Sequence, residues 1–587
     1  MDRHIHQLGN ARRLLPGELN AYKARSVAAG WSIVIGFATE PDQQINILVD
    51  LDFPFSRPLI AVTRDHFMHW PHIEADGIVC ALPESATHNP YDPVSVLDRL
   101  LGETASLIDE CSQGLRMEDF QSEFLSYWSR TVNSSSTKIV SLMLTFESSR
   151  LIAVWRGTEH YLIADTGGQA AEWLRRRYAD HEGTFLTEEA LLVTLARPLF
   201  PHEYPMNALD VLRVIRERCS SAMGFLSAFI SRRTECLLVI FYAPTQNGPA
   251  IAGVKISLPV ASNVLGRKTE PMTQGFRPGK VPIDLSLARY FGSKSRLERV
   301  IVERADAMWI HGRDHDIRTK QLHNSKVAIF GIGSIGSFVA EHLAAAGVGN
   351  LILIDPETLT FANTGRHLLG ADNQGKPKAL EVAKLLRRRF PHHHIEYFCM
   401  TAQEFIRENK VIINGLDLVV SVTGNWETDT FVNDRYVQAL LQRVLFGWTE
   451  PHAVAGHAVL LTGRDSCLCC HFDAAGRCDL RISQWDEETY QQEPACGGIF
   501  QPYGPVEIAM TNAMIASVAL EALCGKLTGS VHRVYATDQK TIGELGGRYT
   551  DKWRELMPSV DDDLKISKTL LWRSNPECLR CGGKISC

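Results

Sequence analysis

The sequence predicts a multidomain protein of the α/β class, and three observations carry this. The chain has 587 residues, too many for one ordinary hydrophobic core, so about three domains are expected. Its first 135 residues place β-rich runs ahead of a long helical pattern, an α+β arrangement. From residue 301 onward the order becomes strand, glycine turn, helix, glycine turn, strand, the βαβ unit of a parallel doubly wound sheet.

Composition narrows the class. The chain is 45% hydrophobic and 22% charged, ordinary for a globular protein. A net charge of -6 provides no global basic field for nucleic acid, so no direct nucleic-acid partner is expected. The 14 cysteines lack the dense, regular spacing of a secreted disulfide scaffold. Several form C-x-x-C pairs, which points to metal or thiol chemistry in a reducing compartment. The opening "MDRHIHQLGNARRLL" has no apolar signal core, and no run of about 20 apolar residues is evident. The expectation is a cytoplasmic enzyme without a membrane span.

Residues 1–135 form the first expected domain. "WSIVIGFATE" and "INILVDLDF" read as strands, and "FPFSRPLIAV" sets prolines at turns before another. "HWPHIEADGIVCAL" follows, with a turn-prone Asp76-Gly77 and Cys80 on a short segment. Taken alone, Cys80 is open to three readings: core thiol, metal ligand or nucleophile. Val96, Leu97, Leu100, Leu101 and Leu107 then repeat at helical spacing. The polar stretch "RTVNSSSTK" marks a boundary near residue 135. Residues 136–300, the middle or linker domain, are expected to be α+β. They alternate strand runs such as "KIVSLMLTF" and "CLLVIFYA" with helices. No catalytic constellation stands out there, and Cys219 and Cys236 read as core or surface thiols.

Residues 301–587 are the most informative. In "GIGSIG", Gly331, Gly333 and Gly336 lie between an apolar strand and a helix start, where glycine lets phosphates approach backbone N–H groups. Asp355 closes the next strand about 20 residues on, where a carboxylate can grip a ribose. Asn363, Arg366 and Lys378 follow. Positive charge at that place neutralises a triphosphate, which a nicotinamide dinucleotide does not need. The pairs Cys467-x-x-Cys470 and Cys578-x-x-Cys581 make a tetrahedral thiolate set for structural zinc, with Cys469 a competing ligand in the first pair.

"GIGSIG", Asp355, "NTGR" at 363–366 and "GKPKA" with Lys378 together resemble the ThiF/MoeB and ubiquitin-activating family over roughly residues 305–585. The resemblance implies a Rossmann-like adenylation domain with structural zinc. It also implies ATP and Mg2+ as cofactors, homodimerisation, and adenylation of a protein's C-terminal carboxylate. Asp355 would hold the ribose, and Asn363, Arg366 and Lys378 the phosphates and the attacking carboxylate. The family's magnesium carboxylate is replaced by Gly424, with Glu427 or Asp429 as substitutes. Arg304 or Arg313 is the arginine expected to cross a dimer interface. By the same resemblance, Cys496 in "EPACGGIF" is the first thioester nucleophile.

With that in place, "FPFSRPLIAV", "WPHIEADGIVCAL" and "NPYDPVSVLDRLL" resemble ubiquitin-conjugating enzymes over about residues 25–115. Cys80 takes the acceptor cysteine's position. His72 stands where the family carries an oxyanion-supporting asparagine, either to donate the same hydrogen bond or to fix the loop. The three-part order resembles the fused activating–conjugating proteins of CBASS antiphage operons. That resemblance implies transfer of the C-terminal tail of a cGAS/DncV-like nucleotidyltransferase to a target amine. Two rival readings use the same residues: a sulfur-transfer adenylyltransferase, for which Cys80 would be dispensable, and a non-catalytic scaffold that binds a partner.

Overall fold

The computed structural model describes residues 5–582 except 6–10, 37–42, 84, 179–182, 232–235, 258–261, 265–266, 270–274, 278–279, 293–294, 474, 493–498 and 558–563. The chain divides into two compact units, residues 1–170 with 186–303, and residues 171–185 with 304–587.

The first unit opens with an antiparallel sheet of four strands in sequence order: β1 (Arg12–Arg13), β2 (Val27–Ile35), β3 (Gln43–Asp50) and β4 (Leu59–Ala61). Alternation places Trp31 and Ile33 of β2, and Ile45, Ile47 and Val49 of β3, on one buried face. Helix α1 (Pro93–Ser112) covers that face with Leu97, Leu100, Leu107, Ile108 and Cys111, which recur on one side of the helix with buried Thr104 between Leu100 and Leu107. Asp92 starts it by accepting from the Ser95 N–H, and Pro93 occupies its first turn. Two short helices follow, α2 (Asp119–Ser122) and α3 (Phe124–Ser129). Their Phe120, Phe124, Tyr127 and Trp128 are buried in the same core as strand residues Leu191, Val239 and Phe241. Those strands belong to a closed barrel of seven: β5 (Lys138–Ser141), β6 (Arg150–Arg156), β7 (His160–Ala164), β8 (Glu188–Thr194), β9 (Cys236–Thr245), β10 (Gly248–Ser257) and β11 (Arg296–Arg304). Closure leaves no free edge. The Trp128 indole N–H donates to the Val300 carbonyl at 3.0 Å, which ties α3 to the barrel, while the first sheet keeps its own core with α1.

The second unit holds an eight-stranded sheet built from β12 (Lys326–Phe330), β13 (Asn350–Ile354), β14 (His394–Phe398), β15 (Leu418–Ser421), β16 (Val444–Thr449), β17 (Ala455–Leu461), β18 (Val531–Ala536) and β19 (Ile566–Leu571). The spatial order is β14-β13-β12-β15-β16-β17-β18-β19. The first five are mutually parallel and the last three pair antiparallel. Helices α4 (Gly336–Ala345), α5 (Lys378–Arg389) and α7 (Pro505–Leu523) pack on one face through Val339, Leu343, Val382, Leu386, Ile515 and Val518. Helix α6 (Trp426–Val437) covers the other face through Val432 and Tyr436. The strand order reverses between β12 and β15, and a ligand crevice belongs at such a switch point. Helix α7 departs from the expectation of no long apolar run: among the described residues it is the one helix long and apolar enough to cross a membrane. Here it is a core helix seated on the sheet.

Candidate functional site

Three sites take shape, each inside one unit. The first lies at the β12–β15 switch point. Gly331 leaves β12 at φ +86, and a Cβ there would stand 2.8 Å from the Thr423 Cα beyond β15. A Cβ on Gly336 would stand 1.8 Å from the Gly331 carbonyl oxygen. Both glycines are therefore required to close the turn. Gly333 differs: a Cβ there would meet nothing within 4 Å, so its surface is open to a ligand. The loop is held by the carboxylate of buried Asp355, whose Oδ2 accepts from the Ile332 N–H at 2.6 Å and Oδ1 from the Glu357 N–H at 2.8 Å. Burial pushes this carboxyl up and the two amides pull it back. Each oxygen keeps a further lone pair for a hydroxyl donor.

Lys378 is buried at the start of α5, with its Nζ 2.5 Å from Glu357 Oε2. Asp355, Glu357 and Lys378 thus form one chain of contacts under the glycine loop. The Arg366 guanidinium lies 5.2 Å from the Tyr503 ring centroid, and Tyr503 Oη is 3.0 Å from Ser334 Oγ. Asn363 is used locally: its Oδ1 accepts from the Thr360 N–H and hydroxyl. Two participants escaped sequence reasoning, Tyr503 and His367. The His367 Nδ1 accepts from the Leu369 N–H at 3.0 Å, so its Nε2 carries the proton and donates to the Ile332 carbonyl at 2.7 Å. A lone buried histidine gives no sequence signal for such a tie. The cradle, with its backbone turn, carboxylate and cations, suits a nucleotide phosphate chain.

Around Gly424 the space for a side chain is open, with nothing within 4 Å of a Cβ. Of the two substitutes, Glu427 is exposed, whereas Asp429 stands behind the loop. Asp429 Oδ1 accepts from the Ser421 hydroxyl at 2.6 Å and the Thr423 hydroxyl at 3.2 Å. Burial pushes its carboxyl up to about 7, against those hydroxyls. Arg304 is engaged with Asp306 and Asp314, while Arg313 stacks over Trp309 with 4.8 Å to its centroid.

The second site is a cluster of thiols. Cys467, Cys470, Cys578 and Cys581 are buried with all four sulfurs within 4.8 Å of one another. Three of the sulfur pairs lie at 3.5, 3.6 and 3.8 Å. A tetrahedral zinc tetrathiolate needs about 3.8 Å between sulfurs at Zn–S of about 2.3 Å. The set therefore fits zinc as it stands. Cys469 instead takes an N–H from Asn433 on α6 at 3.5 Å.

The third site surrounds Cys80. Gly77 turns at φ +86, where a Cβ would stand 2.3 Å from the Val62 carbonyl oxygen. The Val79 N–H donates to Ile60 and the Cys80 N–H to the His72 carbonyl, both at 2.8 Å. The Cys80 thiol donates to Glu74 Oε1 at 3.2 Å, and Glu74 is ion-paired with Arg25, which also holds Asp76 at 2.9 Å. Burial first and Glu74 second push the thiol up to about 11, while Arg130 pulls the other way. His72 has φ +62. Its N–H donates to Tyr127 Oη at 2.8 Å, and its ring meets Asp119 Oδ2 at 2.9 Å and Glu123 Oε2 at 3.7 Å. The described ring partners of His72 are therefore carboxylates of α2 and its neighbour. Glu74 and Arg130 were not singled out from the sequence, since an isolated charged residue in a loop has no pattern. Cys496 lies outside the described residues.

Residues 308–551 match the ThiF family, and residues 3–136 match the prokaryotic E2 family B. The chain thus joins a ThiF-family domain to a prokaryotic conjugating-type domain, and it is an enzyme of the ubiquitin-activating and ubiquitin-conjugating kind. It is similar to the ATP-dependent ubiquitin transferase-like protein Cap2 of Pseudomonas aeruginosa, 23% identical over 471 residues, 78% of this chain and 80% of that one. It is also similar to the ubiquitin-like modifier-activating enzyme 5 of Arabidopsis thaliana, 30% identical over 192 residues, 30% of this chain and 43% of that one. Among solved structures, E. coli MccB with ATP matches at 18% identity and a TM-score of 0.30, over 45% of this chain and 68% of that one.

Proposed function

We propose that the chain activates the C-terminal carboxylate of a partner protein with ATP, carries it as two successive thioesters, and joins it to a target amine. The carboxylate attacks the α-phosphorus and expels pyrophosphate, leaving an acyl-adenylate. The Cys496 thiolate displaces AMP, Cys80 then displaces the Cys496 thiolate, and an amine displaces Cys80 to leave an amide. Lys378 and Arg366 bind the phosphates, Asp355 the ribose, and Asn363 orients the segment that carries Arg366. Asp429 is the carboxylate that would hold Mg2+, which supplies charge neutralisation to the triphosphate. The expected partner is a cGAS/DncV-like nucleotidyltransferase of a CBASS antiphage operon. Homodimerisation is expected as well, with Arg313 the freer of the two candidate arginines.

The observation that carries this reading is the Cys80–Glu74 contact, in a chain that also has the Asp355–Lys378 cradle. A thiol kept protonated beside a carboxylate is an acceptor that deprotonates only as the incoming thioester arrives, with Glu74 taking the proton. Arg130, beside the same sulfur, supplies positive charge to the oxyanion, and His72 fixes the loop. The test uses the full chain with ATP and the candidate partner. Partner-dependent ATP–pyrophosphate exchange should survive Cys80→Ser, Cys496 should load, and the amide should vanish. Thiol-sensitive adducts that persist in the Cys80→Ser/Cys496→Ser double variant would sink the scheme. Full amide formation by Cys80→Ala would favour the sulfur-transfer rival.

A further inference from the structure

A second cluster of potential ligands lies at the opposite end of α4 from the glycine loop, where nothing in the activation chemistry requires it. His311, at the end of a short helix (Ala307–Gly312), meets His392 and His393 from the turn between α5 and β14. The three residues can bring one ring nitrogen each within 4.8 Å of the others. His311 Nε2 and His392 Nε2 are 2.7 Å apart.

The hydrogen bonding fixes which nitrogens carry lone pairs. A carbonyl only accepts, so His311 Nδ1, 3.1 Å from the Ala345 carbonyl, is protonated and its Nε2 is a lone pair. His393 Nε2 is 2.9 Å from the Ala344 carbonyl, so its Nδ1 is likewise a lone pair. That Nδ1 is buried without a hydrogen-bond partner among the described residues, as is Nδ1 of His392. Imidazoles that ligate metals commonly donate their other N–H to a backbone carbonyl, which sets ring orientation and basicity. His311 and His393 are already held in this way. Burial also keeps His392 and His393 far below the ordinary histidine range, in the neutral form that ligates. The two carbonyls are at the C-terminus of α4, whose partial negative charge favours a cation nearby.

From this arrangement we infer a second metal site, in which His311 Nε2, His392 Nε2 and His393 Nδ1 bind one borderline divalent ion of the Zn2+, Ni2+ or Cu2+ type. On binding, the His392 proton moves from Nε2 to Nδ1, which frees the Nε2 lone pair for the ion, and the His311–His392 pair opens to about 3.3 Å, the separation of tetrahedral ligands at about 2.0–2.1 Å. His393 is buried while His311 and His392 are half-buried, so the ion enters from the solvent side of the latter two. Arg176 donates to the Pro391 carbonyl at 3.2 Å and brings a positive charge close by, so selectivity rests on the imidazoles and not on charge. Helix α4 is about 15 Å long, which sets this ion well away from the nucleotide cradle. Its role is to clamp residues 307–312 and the α5–β14 turn to the C-terminus of α4.

The full-length protein, reconstituted with cobalt, separates this site from the thiolate site. The first equivalent should show the strong near-ultraviolet charge transfer of thiolate ligands, and a second should add ligand-field bands alone. His311→Gln and His392→Gln should each weaken the second equivalent by at least about tenfold while leaving the first unchanged. Elemental analysis after zinc loading should fall from two ions per chain to one, with ATP–pyrophosphate exchange intact as the check on folding. A single equivalent in the unaltered chain, or two equivalents retained by both variants, would overturn the inference.

Discussion

At Cys80 the chemistry turns on one carboxylate. Glu74 accepts from the thiol and contributes, after burial, to raising it to about 11. Glu74→Gln should therefore lower the thiol and speed its alkylation at pH 8, while slowing transfer from Cys496 to Cys80. A general base is worth roughly 10²–10⁴-fold, so a tenfold or greater loss of loading is expected in single-turnover assays. Faster alkylation with unchanged loading would make Glu74 a spectator. Asp429 provides a pH signature of its own. Its carboxyl is raised in the folded chain, so the folded state binds the extra proton. The associated stability is present below the unfolded value near 4 and is lost as pH rises through about 7. Asp429→Asn should remove that slope, on the order of a few kcal/mol, in denaturation measured at pH 5 and pH 8. If Asp429 holds Mg2+, the slope of the unaltered chain should also flatten with MgATP bound.

Among the elements, the glycine loop separates two kinds of requirement. Gly336→Ala drives a Cβ to 1.8 Å from the Gly331 carbonyl, so a destabilisation of about 3 kcal/mol is expected. Gly333→Ala meets nothing, so it should fold within about 0.5 kcal/mol of the original and instead raise the KM for ATP. Equal melting temperatures for the two variants would contradict this account. The βαβ unit, the two C-x-x-C pairs and α1 were legible in the sequence because each has a period or spacing that local physics imposes. The middle residues were legible only as alternating strands and helices. That β5 to β11 close into a barrel depends on pairings such as β5 with β7 and β8 with β9, remote in sequence and without a local signature. The same holds at the sites: Asp355 and Lys378 sit in a spaced motif, whereas Glu74, Arg130, His367 and Tyr503 become partners only through tertiary contact.

For the whole molecule, the thiolate cluster joins residues far apart in sequence, Cys467 to Cys578 and Cys470 to Cys581, each pair 111 residues apart. It ties the segment after β19 back to the region beside α6, where the Trp572 indole N–H also donates to the Cys467 carbonyl at 2.9 Å. A metal ion bound by all four thiols would cross-link so long a loop, an effect on the order of 3–5 kcal/mol. Cys578→Ser, or chelation of the unaltered chain, should lower the denaturation midpoint of the second unit accordingly, with the midpoint of the first unit unmoved. An unchanged second unit after verified metal loss would show the cluster to be dispensable for folding.

The same separation has a consequence for the timing of synthesis. At roughly 5–20 residues per second, Cys467 and Cys470 leave the ribosome about 6–22 seconds before the cysteines that complete their set. During that interval they are two unprotected nucleophiles on a nascent chain, next to Cys469 and open to oxidants and stray metals. Only a chain made through Cys581 carries all four thiols of the set.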